Sequence, residues 1–200
     1  SPISDLAGSF LIFLKRNINP HTILAIWEMN EPIDWLLQSN IVLPNNIQNN
    51  KRKREWICTR LLLQEIAPNT TISYNEFGAP ISSDEIAISI THSENYCCLL
   101  ISPQKASIDI EFISEKAHRL KNQFISKKEE ILTEQSDAAT LIWCAKECLF
   151  KLYQKGNLIF KEDLKVFQIK ETTIETTLKG SPYLLNYEKF NGHYLVYYYE

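Results

Sequence analysis

Residues 107–112 read Ser-Ile-Asp-Ile-Glu-Phe, and they restrict the fold of this chain more than any other stretch. Apolar and acidic side chains alternate with a period of two. In an extended strand, Ile108, Ile110 and Phe112 then enter a core while Asp109 and Glu111 leave the opposite face together. Two carboxylates share one small volume, and at about 6 Å with an effective dielectric near 20 they repel by roughly 3 kcal/mol. A divalent cation or a basic partner converts that cost into attraction; a solvated edge strand escapes it. The stretch closes on Trp143-Cys144-Ala145-Lys146-Glu147-Cys148-Leu149-Phe150-Lys151. This is a helical pattern in which Glu147 and Lys151 lie four apart, with Trp143 on the same stripe. A third carboxylate and an ammonium group are thereby available to the same site.

The 200 residues, 44% of them hydrophobic, suffice for a sizeable core, either as one large domain or as two of about 100 residues. A net charge of −3 argues against a general nucleic-acid binder, so any anion site must be local. Five cysteines, an odd number that includes the adjacent Cys97 and Cys98, fit reduced thiols rather than a disulfide framework. Cys144 and Cys148 have a spacing that could take metal, but no second pair does, and packing in a core is the reading adopted. The apolar run Phe10–Leu14 is too short for a signal segment, and no stretch reaches about 18 uncharged apolar residues. A soluble, cytoplasmic protein with no nucleic-acid or membrane partner is expected.

Along the chain, Ser9–Leu14 and Thr22–Trp27 are strand candidates separated by Asn19-Pro20, and a short helix follows Pro32. A longer helix carries the dense basic run Lys51-Arg52-Lys53-Arg54 and continues to Ile66. Its buried face is expected to hold Trp56 or Ile57, Leu61, Leu63 and Ile66. Taken alone, the cations on it read as a solvated face; four in a row are also what a phosphate site would use, where arginine grips oxygens bidentately. Thr71–Tyr74, Ile86–Ile90 and Tyr96–Ile101 are further strands, with a turn at Asn75–Pro80 and with Thr91-His92-Ser93 at a strand end. The charged region from Ser114 to Glu134 is either a solvated connection or a docking surface for an acidic helix. Ser136 or Asp137 caps the main helix, and Gly156 stops it. Four antiparallel strands follow, at 164–169, 173–178, 182–187 and 193–199.

These motifs in this order resemble the 4′-phosphopantetheinyl transferases, of the larger, surfactin-synthetase-activating type built from two similar halves. The resemblance covers nearly the whole sequence. It rests on the basic helix ending in Arg60, the Gly78-x-Pro80 turn and Ser89-Ile90-Thr91-His92-Ser93. Above all it rests on Asp109-x-Glu111 followed by Trp143-x-x-Lys146-Glu147-x-x-x-Lys151. The resemblance implies that Asp109, Glu111 and Glu147 hold Mg²⁺ on the pyrophosphate of coenzyme A. Lys151 would lie beside that pyrophosphate, and Lys146 would support the site or contact phosphate. His92, with Arg52, Lys53 or Arg60, would take the 3′-phosphate end, with Thr91 and Ser93 flanking the nucleotide and Trp143 structural. The implied reaction moves phosphopantetheine to a serine of an acyl or peptidyl carrier protein and releases adenosine 3′,5′-bisphosphate, with Glu147 accepting the serine proton. Glu147 and Lys151 are thus the implied catalytic pair.

The fold expected is α+β, two similar halves related by a pseudo-twofold, each a small antiparallel sheet packed with helices. Residues 1–102 would form the nucleotide side and 103–200 the metal and catalytic side, and two halves in one chain favour a monomer. Three positions depart from the family pattern. Ala79 replaces a lysine in the Gly-Lys-Pro turn, Thr91 replaces a serine, and Ser107 stands where glycine usually precedes the Ile-Asp pair, where its side chain would crowd coenzyme A or tilt the strand. A non-catalytic relative that binds coenzyme A or a carrier protein is the alternative that Ala79 and Ser107 raise.

Overall fold

Alternation along the strands sets the layers of this molecule. The computed structural model describes residues 12–200. In chain order its elements are β1 (Ile12–Asn19), β2 (Thr22–Glu28), α1 (Ile33–Leu36), α2 (Asn50–Ile66), β3 (Ile72–Tyr74), β4 (Pro80–Ser82), β5 (Ala87–His92), β6 (Tyr96–Ser102) and β7 (Ala106–Phe112). Then come α3 (Glu115–Leu120), two short 3-10 turns, α4 (Ala138–Tyr153), α5 (Phe160–Asp163), β8 (Leu164–Ile169), β9 (Thr173–Leu178), β10 (Ser181–Phe190) and β11 (His193–Tyr199). One antiparallel sheet runs β1-β2-β6-β5 and the other β7-β11-β10-β9-β8, while β3 and β4 form a separate hairpin. The expected α+β class with antiparallel sheets is the one adopted. Of the strand expected at Ser9–Leu14, residues 9–11 lie outside the described residues, and Ile12 to Leu14 open β1.

Leu24, Ile26, Cys98 and Leu100 point from the first sheet to Ile108, Ile110 and Leu195 of the second, forming the core between the sheets. Their neighbours in sequence, Ala25, Trp27, Cys97 and Leu99, point the other way and pack on Ile57, Leu61 and Leu62 of α2. On the far side of the second sheet, Ile174, Leu185, Tyr194 and Val196 meet Leu141, Ile142, Cys144 and Leu149 of α4. Each such aliphatic side chain contributes about 1.5–3 kcal/mol when fully buried. All five cysteines are free and buried in these cores, as packing rather than metal requires.

The period-two pattern of β7 is realised at four of its five expected positions. Ile108 and Ile110 enter the inter-sheet core, and Asp109 and Glu111 face α4. Phe112 departs: at the strand end it is 61% exposed, with its ring edge on His193. Two other expectations fail locally. Asp137 makes no capping bond to α4 and instead pairs with Lys189 at 2.8 Å. The left-handed residue that ends α4 is Gln154 (φ 58°), two positions before Gly156.

Lys146 also departs from its expected place. Its side chain is fully buried on the face of α4 turned toward residues 121–133, where Nζ donates to Phe124 O (2.6 Å), Glu129 Oε1 (2.9 Å) and Phe160 O (3.0 Å). All three protons of the ammonium are used, so none is left for a phosphate. Glu129 in turn accepts from Ser126 N and Val166 N, tying the charged connection to β8. This connection is therefore anchored from inside, with Phe124 and Ile125 buried and Ile131 exposed. Removing one member of a buried pair strands the other charge. Lys146→Met and Glu129→Gln should each lower the unfolding free energy by about 3–5 kcal/mol in urea denaturation; a loss below about 1 kcal/mol would show that the pair does not hold this segment.

Candidate active site

A cleft of about 530 Å³ lies between α2, the β3–β4 turn, β5 and the C-terminal end of α4. Helix α2 contributes Arg52, Glu55, Trp56, Thr59 and Arg60. These are i, i+3, i+4, i+7 and i+8, one stripe of a helix with 3.6 residues per turn. Asn49 starts the helix by accepting from Arg52 N at 2.8 Å. The helix sits on the first sheet through its opposite face, so the stripe is left to the cleft. Sequence reasoning found the two arginines of this stripe and missed the rest. Extending it from Arg52 at helical spacing would have found Glu55, Trp56 and Thr59. Lys53, rotated about 100° from Arg52, is not among the lining residues. Trp56, expected as one option for the buried face, lines the cleft instead, with the Arg60 guanidinium 3.1 Å from its ring centre. Arg60 also donates to Tyr74 Oη at 3.4 Å.

The β3–β4 turn supplies Phe77, Gly78, Ala79 and Pro80. Asn75 Oδ1 accepts from both Phe77 N and Ala79 N at 2.9 Å, and Gly78 takes φ +80°, a conformation that side chains disfavour. Phe77 closes this side by packing on Gly156, where a Cβ would stand 3.4 Å from its ring. Phe150, Lys151 and Gln154 complete the wall from α4.

At the cleft floor, β5 and β7 run side by side without backbone pairing. Ser89 Oγ accepts from Ile108 N (3.0 Å) and Thr91 Oγ1 from Ile110 N (3.1 Å), so two side-chain hydroxyls stand where a neighbouring strand would place carbonyls. Lys151 completes the seam. Its ammonium donates to Ile90 O (3.3 Å), Ile108 O (3.0 Å) and Asp109 Oδ1 (2.8 Å). Burial pushes this ammonium down, but the Asp109 charge and hydrogen bond outweigh it and hold the group above its ordinary range. Thr91 also donates to Asp109 Oδ1 at 3.3 Å, so its hydroxyl is engaged in the seam rather than turned to the cleft. Ser93 Oγ accepts from Tyr96 N and closes the β5–β6 turn. His92 lines the cleft, and burial, followed by the charge of Lys151, lowers its pKa to about 4, so its ring is neutral at pH 7.

The three carboxylates gather beside Lys151. Asp109 is buried, and its Oδ2 accepts no hydrogen bond while Glu111 is ionised. Burial first, then the charge and hydrogen bond of Asp109 and the charge of Glu147, push Glu111 up to about 8. Burial and Asp109 push Glu147 up to about 7. The group is therefore crowded with like charge, as the strand pattern implied. Among the described residues, no three His, Cys, Asp or Glu side chains already stand in a metal-ligating arrangement. Ser107 does not reach the cleft. It is wholly buried, and its Oγ donates to Cys148 O at 2.5 Å, which pins β7 to α4. The expectation that it would crowd a ligand is corrected by that orientation: an odd-numbered β7 side chain points to α4, and Ser107 lies at its packed end.

Residues 107–197 match the family model of the 4′-phosphopantetheinyl transferase superfamily, and they contain Asp109 and Glu111, α4 and all but the outermost residues of the second sheet. This segment of the chain is similar to that superfamily. A curated relative, the 4′-phosphopantetheinyl transferase gsp of Aneurinibacillus migulanus, is 31% identical over 114 residues, which cover 52% of this chain and 48% of the relative. The chain thus spans about half the length of the curated relative it matches. The resemblance drawn from the motifs is borne out.

The raised carboxyls have a consequence for stability. A carboxyl whose folded pKa exceeds its unfolded value contributes fully below the unfolded pKa, near 4.5, and loses that contribution as pH rises through 7 to 8. His92 works oppositely: its lowered pKa contributes above 6.5, and the contribution is lost as pH falls toward 4. Between pH 6.5 and about 8.5 each of these carboxyls changes stability by at most about 1.4 kcal/mol per pH unit, and the buried thiols, also pushed up by burial, add to the same fall toward its upper end. In the presence of chelator, the melting temperature should therefore fall across this window, and Glu111→Gln should flatten the fall. An unchanged slope in that variant would show that Glu111 is not the titrating group.

Proposed function

We propose that the protein transfers the 4′-phosphopantetheine group of coenzyme A to a serine of an acyl or peptidyl carrier protein. The observation that carries this reading is the junction of two unlike charge sets. Arg52, Arg60 and His92 line one part of the cleft, and Lys151 joins it to Asp109, Glu111 and Glu147. A dinucleotide-sized polyanion with a phosphate at one end and a pyrophosphate at the other suits such a junction. On this reading the cations of α2 take the 3′-phosphate end, and Tyr74, Phe77 and Trp56 offer flat surface to the base.

Mg²⁺ fits the residues present. Asp109 Oδ2 is buried without a partner, and Glu111 and Glu147 are pushed up by mutual repulsion, a cost that a hard divalent cation with oxygen ligands relieves. Asp109, Glu111 and Glu147 would hold it, and when bound it would supply positive charge to the pyrophosphate oxygens. The chain's own groups then do the rest. Lys151, held by Ile90 O, Ile108 O and Asp109 Oδ1, places its positive charge where the cleft meets the carboxylates. Glu147 is the carboxylate assigned to accept the serine proton. Positioning and charge neutralisation dominate this kind of transfer, which needs little covalent help from the protein. Adenosine 3′,5′-bisphosphate leaves.

Each sheet draws its strands from one side of the link at Pro103-Gln104-Lys105, which supports residues 1–102 and 103–200 as two halves related by a pseudo-twofold. The cleft needs no second chain, which supports a monomer. No helix among the described residues is long and apolar enough to cross a membrane, and five buried free thiols support a reducing compartment such as the cytoplasm. Of the features that favoured a non-catalytic binder, Ser107 is turned into α4 and Ala79 alone remains at the cleft.

The test is mass spectrometry of an apo carrier protein incubated with the enzyme, coenzyme A and Mg²⁺. One phosphopantetheine group should be added to the carrier, and Glu147→Gln should slow the addition by about 10²–10⁴-fold without lowering the melting temperature. No addition to fatty-acid, polyketide or peptide carriers would sink the transferase reading. A second measurement addresses Ala79. Ala79→Lys should tighten coenzyme A binding by about 1 kcal/mol at low salt, because it restores a cation to the cleft wall; weaker binding would mean that the turn does not face phosphate.

A further inference from the structure

Thr59 is buried on the cleft stripe of α2, and its hydroxyl oxygen stands 2.7 Å from each of two atoms, Glu55 O and His92 Nε2. A hydroxyl has one proton and two lone pairs. Were that proton aimed at His92, the oxygens of Thr59 and Glu55 would face each other at 2.7 Å with no hydrogen between them. One arrangement makes both contacts hydrogen bonds: Nε2–H donates to Thr59 Oγ1, and Thr59 donates to Glu55 O. Cys97 Sγ, 3.7 Å away, completes the set. Burial pushes its thiol up to about 12, so it keeps its proton and serves as a donor to the second lone pair. Every hydrogen-bonding position of the hydroxyl is then filled.

We propose that Thr59 is a positioning residue that holds His92 as its Nε2–H tautomer, so that Nδ1 is the ring atom offered to a phosphate monoester in the cleft. Arg52 and Arg60 from α2 and Lys151 from α4 are the charged groups that act on this ring, Glu55 meets it through its backbone, and Cys97 is the titratable group of β6 beside Thr59. With three cations near it and little solvent, the neutral ring is an acceptor at Nδ1. At pH 7 a phosphate monoester is largely dianionic, so its contact with Nδ1 takes up one proton from solvent, which the two atoms then share, and the ring must be correctly turned for that contact to form. The choice of tautomer follows from hydrogen-bond geometry alone. The ligand half of the proposal rests on the nucleotide reading of the cleft.

Ring-nitrogen NMR of protein labelled with ¹⁵N-histidine reads the tautomer without any ligand, the His92 signals being identified by their loss in His92→Gln. At pH 7, Nε2 should carry the proton and Nδ1 should be bare; the reverse assignment overturns the proposal. Thr59→Ser keeps the hydroxyl and should keep the tautomer, whereas Thr59→Val, of nearly equal volume, should release the ring into a mixture. Calorimetric titration with adenosine 3′,5′-bisphosphate provides the second arm. Binding should weaken about tenfold in Thr59→Val and change less than about twofold in Thr59→Ser, the loss expected for one oriented hydrogen bond. Unchanged affinity in a Thr59→Val protein with a normal melting curve would overturn the positioning role. If the wild-type protein binds no bisphosphate, the reading of the cleft fails, and the ring-nitrogen spectra still decide whether Thr59 sets the tautomer.

Discussion

The ammonium group of Lys151 sits where two sheet edges fail to pair, and the layout of the site depends on that failure. Had β5 and β7 formed a regular ladder, the two sheets would continue into one another and the floor of the cleft would be closed by backbone bonds. Instead the carbonyls of Ile90 and Ile108 are satisfied by a side chain from α4, and the amides of Ile108 and Ile110 by Ser89 and Thr91. Buried backbone groups must find partners. Here the partners are side chains, and one of them is bonded to the acidic cluster. The seam and the acidic cluster are one network, so the positions of Asp109 and Lys151 are set by the same bonds that join the two sheets.

Much of this was legible in the sequence because it followed from periodicity. The alternation in β7 placed Asp109 and Glu111 opposite Ile108 and Ile110, and the helical spacing in α4 brought Glu147 and Lys151 to one face. Strands β8 to β11 were delimited by their turns. What escaped was the direction of side chains whose neighbours come from distant segments. Lys146 follows a tryptophan and an alanine on an apolar helix and precedes Glu147, and nothing local shows that its partner is Glu129 in a connecting segment. Ser107 was judged against the glycine usual at that position. Its outcome was decided by the pleat, which turns it toward Cys148. Phe112 fits the alternation as well as Ile110 does, but a strand's last residue has no layer left to cover it.

The residues missed in the cleft have a different explanation. Glu55, Trp56 and Thr59 belong to a stripe that mixes an acid, an aromatic ring and a hydroxyl, so no hydrophobic period marks it. Only the arginines at its two ends stood out by charge. A stripe of mixed character opposite a buried face is what a helix shows when both faces have partners, one of them a solvent-filled cleft. Trp56 illustrates the ambiguity: a tryptophan beside an apolar run reads as core, yet its Nε1 reaches Val42 O and its face carries Arg60.

Because Ser89 and Thr91 stand in for the missing strand, the width of the seam is fixed by the length of two short side chains. A ladder leaves evolution little choice, since strand spacing is the same in every sheet. A seam of hydroxyls can be widened, narrowed or tilted by single substitutions that leave the hydrogen bonds of both sheets intact. Relatives built on this plan can therefore adjust the gap between the α2 wall of the cleft and the acidic groups independently of fold stability, which gives the architecture a tuning point that a continuous sheet would lack.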